Sequence, residues 1–131
     1  MSVHVTLRDQ TSTGKETGFL ELSEVPSKLT LRDLIRTRVR EEVALFNADR
    51  AKSYRGLVVP EDAVAGADGF HVPTSRRIDW ERQADVAIGA FERNGFFVLV
   101  DGRQRTDLDE ELDLTGPSDI RFVRLAPLVG G

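Results

Sequence analysis

The chain closes on Leu128, Val129, Gly130 and Gly131, shortly after the strand-like run Ile120-Arg121-Phe122-Val123-Arg124-Leu125. A diglycine in this position supports one kind of chemistry. Glycine has no Cβ, so two in succession can thread a channel too narrow for side chains. An α-carboxyl group has an ordinary pKa of roughly 3.5, so at neutral pH it is an anion and a potential nucleophile toward ATP. From Leu125 to Gly131 the chain reaches at most ~23 Å at about 3.3 Å per residue, enough to enter a deep site while the body stays outside. Pro127 holds its own φ near −65° and removes one backbone donor, which favours an extended approach. The bland alternative is a frayed end, since disorder concentrates at termini.

Other residues that could do chemistry are weaker candidates. His4 and His71 are the only histidines, and each stands alone without metal-ligand spacing. Asp107, Asp109, Glu110, Glu111 and Asp113 form an acidic run. Paired carboxylates can do acid–base work or bind Ca²⁺, but this run lacks the glycine and the alternating oxygen ligands of a calcium loop, so a solvated loop is expected. The arginines at 32, 36 and 40 share a helical face and read as solvated. Trp80 and Phe91 lie at helical spacing and read as core, and Asp101-Gly102 as a hairpin turn.

Composition narrows the classes. The chain has 131 residues, 40% hydrophobic and 31% charged, which suits one soluble globular domain with a real core. Its net charge of −4 gives no electrostatic support for nucleic-acid binding. With no cysteine, disulfides, thiolate zinc sites and cysteine nucleophiles are excluded, so any sulfur chemistry would take place on the tail. The first residues, Met-Ser-Val-His-Val, lack a signal segment, and no apolar run approaches membrane-spanning length; a cytoplasmic location without membrane association is expected. Lysines are few: Lys15, Lys28 and Lys52 stand against fifteen arginines.

Certain elements must position the tail. Val3–Leu7 alternates apolar and polar side chains and predicts a first strand; Thr17–Val25 predicts a second, joined by the turn-forming Asp9–Gly14 stretch into a hairpin. Pro26 to Leu29 is expected to end that strand. Thr30 reads as a helix N-cap with Asp33 in the first turn, and Leu31, Leu34, Ile35, Val39, Val43 and Phe46 make a core stripe on a helix over Leu31–Ala48. Residues 50 to 77 are expected to be loop, with a possible short strand at Leu57–Pro60. A second helix starts after Asp79, carries Trp80, Ala84, Ala87, Ile88 and Phe91, and closes at Asn94-Gly95, with Gly95 expected in the left-handed cap. Phe96–Val100 is a nearly continuous apolar strand, Arg103–Thr106 a short return, and Ile120–Leu125 the last strand.

From Phe96 to Gly131 the chain resembles the C-terminal half of ubiquitin-like β-grasp proteins. The resemblance rests on Phe97-Val98-Leu99-Val100, the turn Asp101-Gly102, the leucine-marked loop from Leu108 to Leu114, and Ile120-Arg121-Phe122-Val123 leading to Gly130-Gly131. The tail Phe122-Val123-Arg124-Leu125-Ala126-Pro127-Leu128-Val129-Gly130-Gly131 is similar to bacterial sulfur carriers, notably the small subunit of molybdopterin synthase. It differs from ubiquitin in lacking an arginine-rich tail. Sulfur carriers of this type are shorter, and Asp49 to Asn94 has no counterpart in their minimal fold.

The resemblance implies an α+β, ubiquitin-like β-grasp fold: a mixed sheet packed on one helix, as a single domain over 1–131. An insertion over about 49–94 brings a second helix before the third major strand, and a flexible tail occupies about 125–131. It further implies that an activating enzyme adenylates the Gly131 carboxylate with its own ATP, recognising Leu125, Pro127, Leu128 and Val129 along with Gly130. The chain itself would be no enzyme and would bind no cofactor. Three uses follow. The chain is a protein modifier served by a conjugating enzyme and a deconjugating peptidase; or a sulfur carrier bearing a C-terminal thiocarboxylate, served by a sulfurtransferase; or a binding module that never reacts.

Overall fold

The computed structural model describes residues 1–48, 56–60, 64–66, 69–71 and 77–125. Strand β1 (Ser2–Thr11) alternates exposed and buried side chains, as its apolar–polar alternation requires. A tight turn at Gly14, with φ of 94°, returns the chain into β2 (Glu16–Pro26). The Thr11 N–H donates to the Lys15 carbonyl at 2.8 Å and closes this hairpin. Two bulges interrupt the ladder, one at Thr17 and one at Ser23–Glu24, where Glu24 sits at φ 57°.

β3 (Lys28–Thr30) follows at once, where the sequence predicted only the end of a strand. Helix α1 (Leu31–Ala48) then begins with Thr30 Oγ1 accepting from the Asp33 N–H at 3.1 Å, the expected cap. Two further N–H groups of its first turn are satisfied by a distant loop. Leu31 donates to the Glu110 carbonyl at 3.0 Å and Arg32 to that of Leu108 at 2.9 Å. The whole predicted apolar stripe of α1 is buried.

The next residues correct two expectations. Leu57–Pro60 is not a strand. Val64–Gly66 (β4) and Gly69–His71 (β5) instead form a two-stranded antiparallel ladder in what read as loop. Helix α2 (Trp80–Glu92) is capped by Asp79, whose Oδ1 accepts from the Glu81 N–H at 3.1 Å. At its end Asn94, not Gly95, takes the left-handed position, with φ 60°. Asparagine is the side chain after glycine that tolerates this geometry, so either residue of the Asn-Gly pair could have served.

β6 (Phe96–Val100) turns through Asp101 and Gly102, both at positive φ (52° and 80°), into β7 (Arg103–Arg105); two positive φ values define a type I′ hairpin turn. β8 (Glu111–Asp113) lies antiparallel to β3, with Leu29 opposite Leu112, both buried. β9 (Ile120–Arg124) comes last. The main sheet is mixed, with strand order β2-β1-β9-β6-β7. β9 lies at its centre, parallel to β1 and antiparallel to β6. The fold is α+β, and no described helix is long and apolar enough to cross a membrane.

The chain divides into two compact units, and both boundaries fall within helices. The first, Met1–Leu34 with Phe91–Gly131, holds the five-stranded sheet and a core that includes Leu7, Val98, Ile120 and Phe122. Phe96 stacks on Phe122 there, with ring centroids 5.9 Å apart. The second, Ile35–Ala90, buries Ile35, Val39, Val43, Phe46, Leu57, Ala84 and Ala87. Its Asn47 amide makes two hydrogen bonds to the backbone of Ile78, each 3.2 Å.

Candidate functional site

The candidate site is the chain leaving β9. Ile120 and Phe122 are fully buried and Val123 nearly so, which fixes the last strand between two neighbours. The parallel register sets Thr11 beside Arg124, and the antiparallel register sets Phe96 beside Arg124. The tail therefore departs from the end of the sheet that carries the β1–β2 turn and the start of β6.

Charged side chains hold β9, Arg121 on one face and Arg124 on the face of Ile120 and Phe122. Arg121 Nε contacts both carboxylate oxygens of Asp119 at 3.1 Å, and one of its terminal nitrogens reaches Gln10 Oε1 at 3.2 Å and Glu16 Oε1 at 3.1 Å. Hydrogen bonding to Asp119, then its charge, raises the Arg121 pKa above the ordinary guanidinium value. Arg121 thus joins β9 to the β1–β2 hairpin as a permanent cation. Arg124 lies 4.0 Å from the largely buried Asp9. The entrance to β9 is clipped as well: Asp101 Oδ1 accepts from the Asp119 N–H at 2.9 Å, while the Asp101 N–H donates to the Asp119 carbonyl at 2.8 Å.

Of the residues expected to carry the chemistry, Leu125 is described, and it is exposed. Pro127, Leu128, Val129, Gly130 and Gly131 lie outside the described residues.

The acidic run has structural partners. Asp109 pairs with Arg32 at 3.4 Å, and Glu110 with Arg105 at 2.5 Å. Asp107 Oδ1 accepts from the Asp109 N–H at 2.9 Å. Asp113 accepts from both the N–H and the hydroxyl of Thr115, with the hydroxyl bond first in holding its carboxyl below the usual range. Leu108, Leu112 and Leu114 are buried beneath these charges. Among the described residues no cluster of three or more His, Asp or Glu is placed to hold a metal ion. An open groove of ≈ 420 Å³ lies in the sheet unit, lined by Phe97, Gln104, Asp107, Glu92, Asn94 and Arg32 among others.

The arginines on α1 depart from the solvated-face reading. Arg36 and Arg40 both lie over the Trp80 ring, 5.3 and 5.6 Å from its centroid, and Arg36 also reaches Asp85 at 3.6 Å. Arg38 is buried and pairs with Glu42 at 3.3 Å. Trp80 is correspondingly half-buried rather than a core residue. No sequence signal links arginines at 36 and 40 to a tryptophan some forty positions away.

No family model, no curated protein and no solved structure matches this chain.

Proposed function

We propose that the chain is a ubiquitin-like β-grasp protein that acts through the carboxylate of Gly131 as a protein modifier. The observation that carries the reading is the place of β9. The last strand is buried in the middle of a mixed sheet, beside the first strand and parallel to it, and it leads directly into residues 125–131. This is the arrangement expected of the β-grasp proteins that the C-terminal half resembles. It fixes the root of the tail rigidly while leaving Leu125 exposed.

In this reading a Gly131 carboxylate oxygen attacks the α-phosphate of ATP in a partner adenylating enzyme, and pyrophosphate leaves. An amine of a target protein attacks the acyl-adenylate carbonyl, AMP leaves, and the amine gives up a proton as the amide forms. The catalytic groups belong to the partner. A conjugating enzyme and a deconjugating peptidase complete the cycle.

One feature favours a second reading. The stretch 125–131 carries no charged side chain, as in the sulfur carriers. There, a persulfide sulfur would attack the same adenylate and a thiol would release the thiocarboxylate by exchange at the S–S bond. The test is intact-mass spectrometry. It is run first on the chain from its source, to establish that the mature protein ends at Gly131, and then after incubation with ATP and a candidate adenylating enzyme. An amide-linked conjugate supports the modifier. Replacement of one oxygen by sulfur supports the carrier. A mature chain that extends past Gly131 contradicts both.

A further inference from the structure

The longest exposed edge of the main sheet belongs to β2. Its eleven residues pair with β1 on one side, and β2 ends the strand order of the sheet. Between the bulges at Thr17 and at Ser23–Glu24 the strand runs regularly from Gly18 to Leu22. Natural sheets commonly guard such an edge with lysine, proline or a bulge. Here the bulges flank the stretch, and Gly18-Phe19-Leu20-Glu21-Leu22 contains neither lysine nor proline. Phe19 is 68% exposed, a large apolar side chain on an edge strand.

The charge along this edge is of one sign. β2 carries Glu16, Glu21 and Glu24 and no cation. Glu16 is engaged by Arg8 at 3.8 Å and Arg121 at 3.1 Å. Glu21 and Glu24 are exposed and make no ion pair among the described residues. Phe19 and Glu21 are two positions apart, so both side chains lie on one face of the strand. A second copy of β2 laid along this edge would set acidic residues near acidic residues. A basic strand would not.

We propose that Gly18–Leu22 is a docking edge for an extended segment of a partner protein. That segment places an apolar side chain beside Phe19 and a lysine or arginine beside Glu21, two positions along. Its backbone extends the sheet with the N–H and C=O groups on the outer side of β2, which have no backbone partner among the described residues, and the paired side chains select its sequence. The inference is independent of any reaction at Gly131.

The test uses two synthetic peptides titrated into the ¹⁵N-labelled full chain: a lysine–valine peptide that repeats Val-Thr-Lys-Thr, so that valine and lysine alternate along one face of the strand, and a glutamate–valine peptide with glutamate in place of each lysine. Binding of the lysine–valine peptide, with shift changes and new amide-exchange protection centred on Gly18–Leu22, is expected. Phe19→Ala should weaken it. Glu21→Lys should weaken it about tenfold and bring the glutamate–valine peptide to the edge instead. Phe19 and Glu21 are exposed, so both variants should keep the wild-type far-UV spectrum. Equal binding of the two peptides to the wild type would overturn the proposal. So would shifts centred elsewhere, or a concentration-dependent dimer in sedimentation that Glu21→Lys abolishes.

Discussion

Leu7 and Ile120 are register partners across the parallel junction of β1 and β9, and neither exposes any surface. That junction joins the first and last strands and sets where the chain leaves the sheet. Truncating either side chain removes buried methyl groups and opens a cavity that its neighbours fill only partly. Leu7→Ala and Ile120→Ala should each lower stability by about 2–5 kcal/mol, read as a shift in the urea midpoint. Truncation of the exposed Leu125 should shift it little.

Asn47 performs the work of a strand residue from a helix. Its amide satisfies both the N–H and the carbonyl of Ile78, just before α2. Asn47→Ala leaves both groups without this partner and should cost about 1–3 kcal/mol. Asn47→Asp keeps an acceptor for the Ile78 N–H but loses the donor to its carbonyl, so its midpoint should fall between those of wild type and alanine.

Gly102 sits at φ 80°, and a Cβ built there meets no atom within 4 Å. The cost of Gly102→Ala is therefore backbone strain without steric clash, on the order of 1–2 kcal/mol. Gly116 is equally open but has no positive φ. Gly116→Ala should leave stability unchanged or slightly raised, since alanine restricts the unfolded chain. Equal losses at the two sites in thermal unfolding would contradict the type I′ turn.

The Asp113 carboxyl is held below its usual pKa, first by the Thr115 hydroxyl and then by the Thr115 N–H. A carboxyl whose pKa is lower in the folded chain than in the unfolded one adds stability above the unfolded pKa and loses it as pH falls through the folded value. Thr115→Ala should raise the Asp113 pKa toward the ordinary carboxylate value in a ¹³C-detected titration. Its stability deficit should be present at neutral pH and fade in acid, below the ordinary aspartate range.

The parts of this fold legible in the sequence are those whose stabilising contacts repeat locally. The stripe from Leu31 to Phe46 marks α1 because buried side chains three and four apart define a helix face. Val3, Val5 and Leu7 mark β1 by alternation, and Asp101-Gly102 marks a turn because both residues accept positive φ. The β3–β8 ladder was hidden. It is three residues long, and Leu29 meets Leu112 from more than eighty positions away. The Arg36 and Arg40 contacts with Trp80 were hidden for the same reason, since an arginine one turn from another reads as solvated until its distant partner is placed. At the candidate site the last strand was anticipated over Ile120–Leu125, one residue longer than the observed Ile120–Arg124, but the grip of Arg121 on Asp119, Gln10 and Glu16 needed the register of three strands.

The central proposal is that Gly131 supplies the reacting carboxylate. Its most direct measurement is intact-mass spectrometry of the full chain and of a variant lacking Gly130 and Gly131, each incubated with ATP and a partner first identified by its own adenylating activity. The diglycine contributes no side chain to the core, so both proteins should fold alike. Expected is an adenylate, conjugate or thiocarboxylate on the full chain and none on the shortened one. The same product on the shortened chain would contradict the proposal and place the reacting group elsewhere.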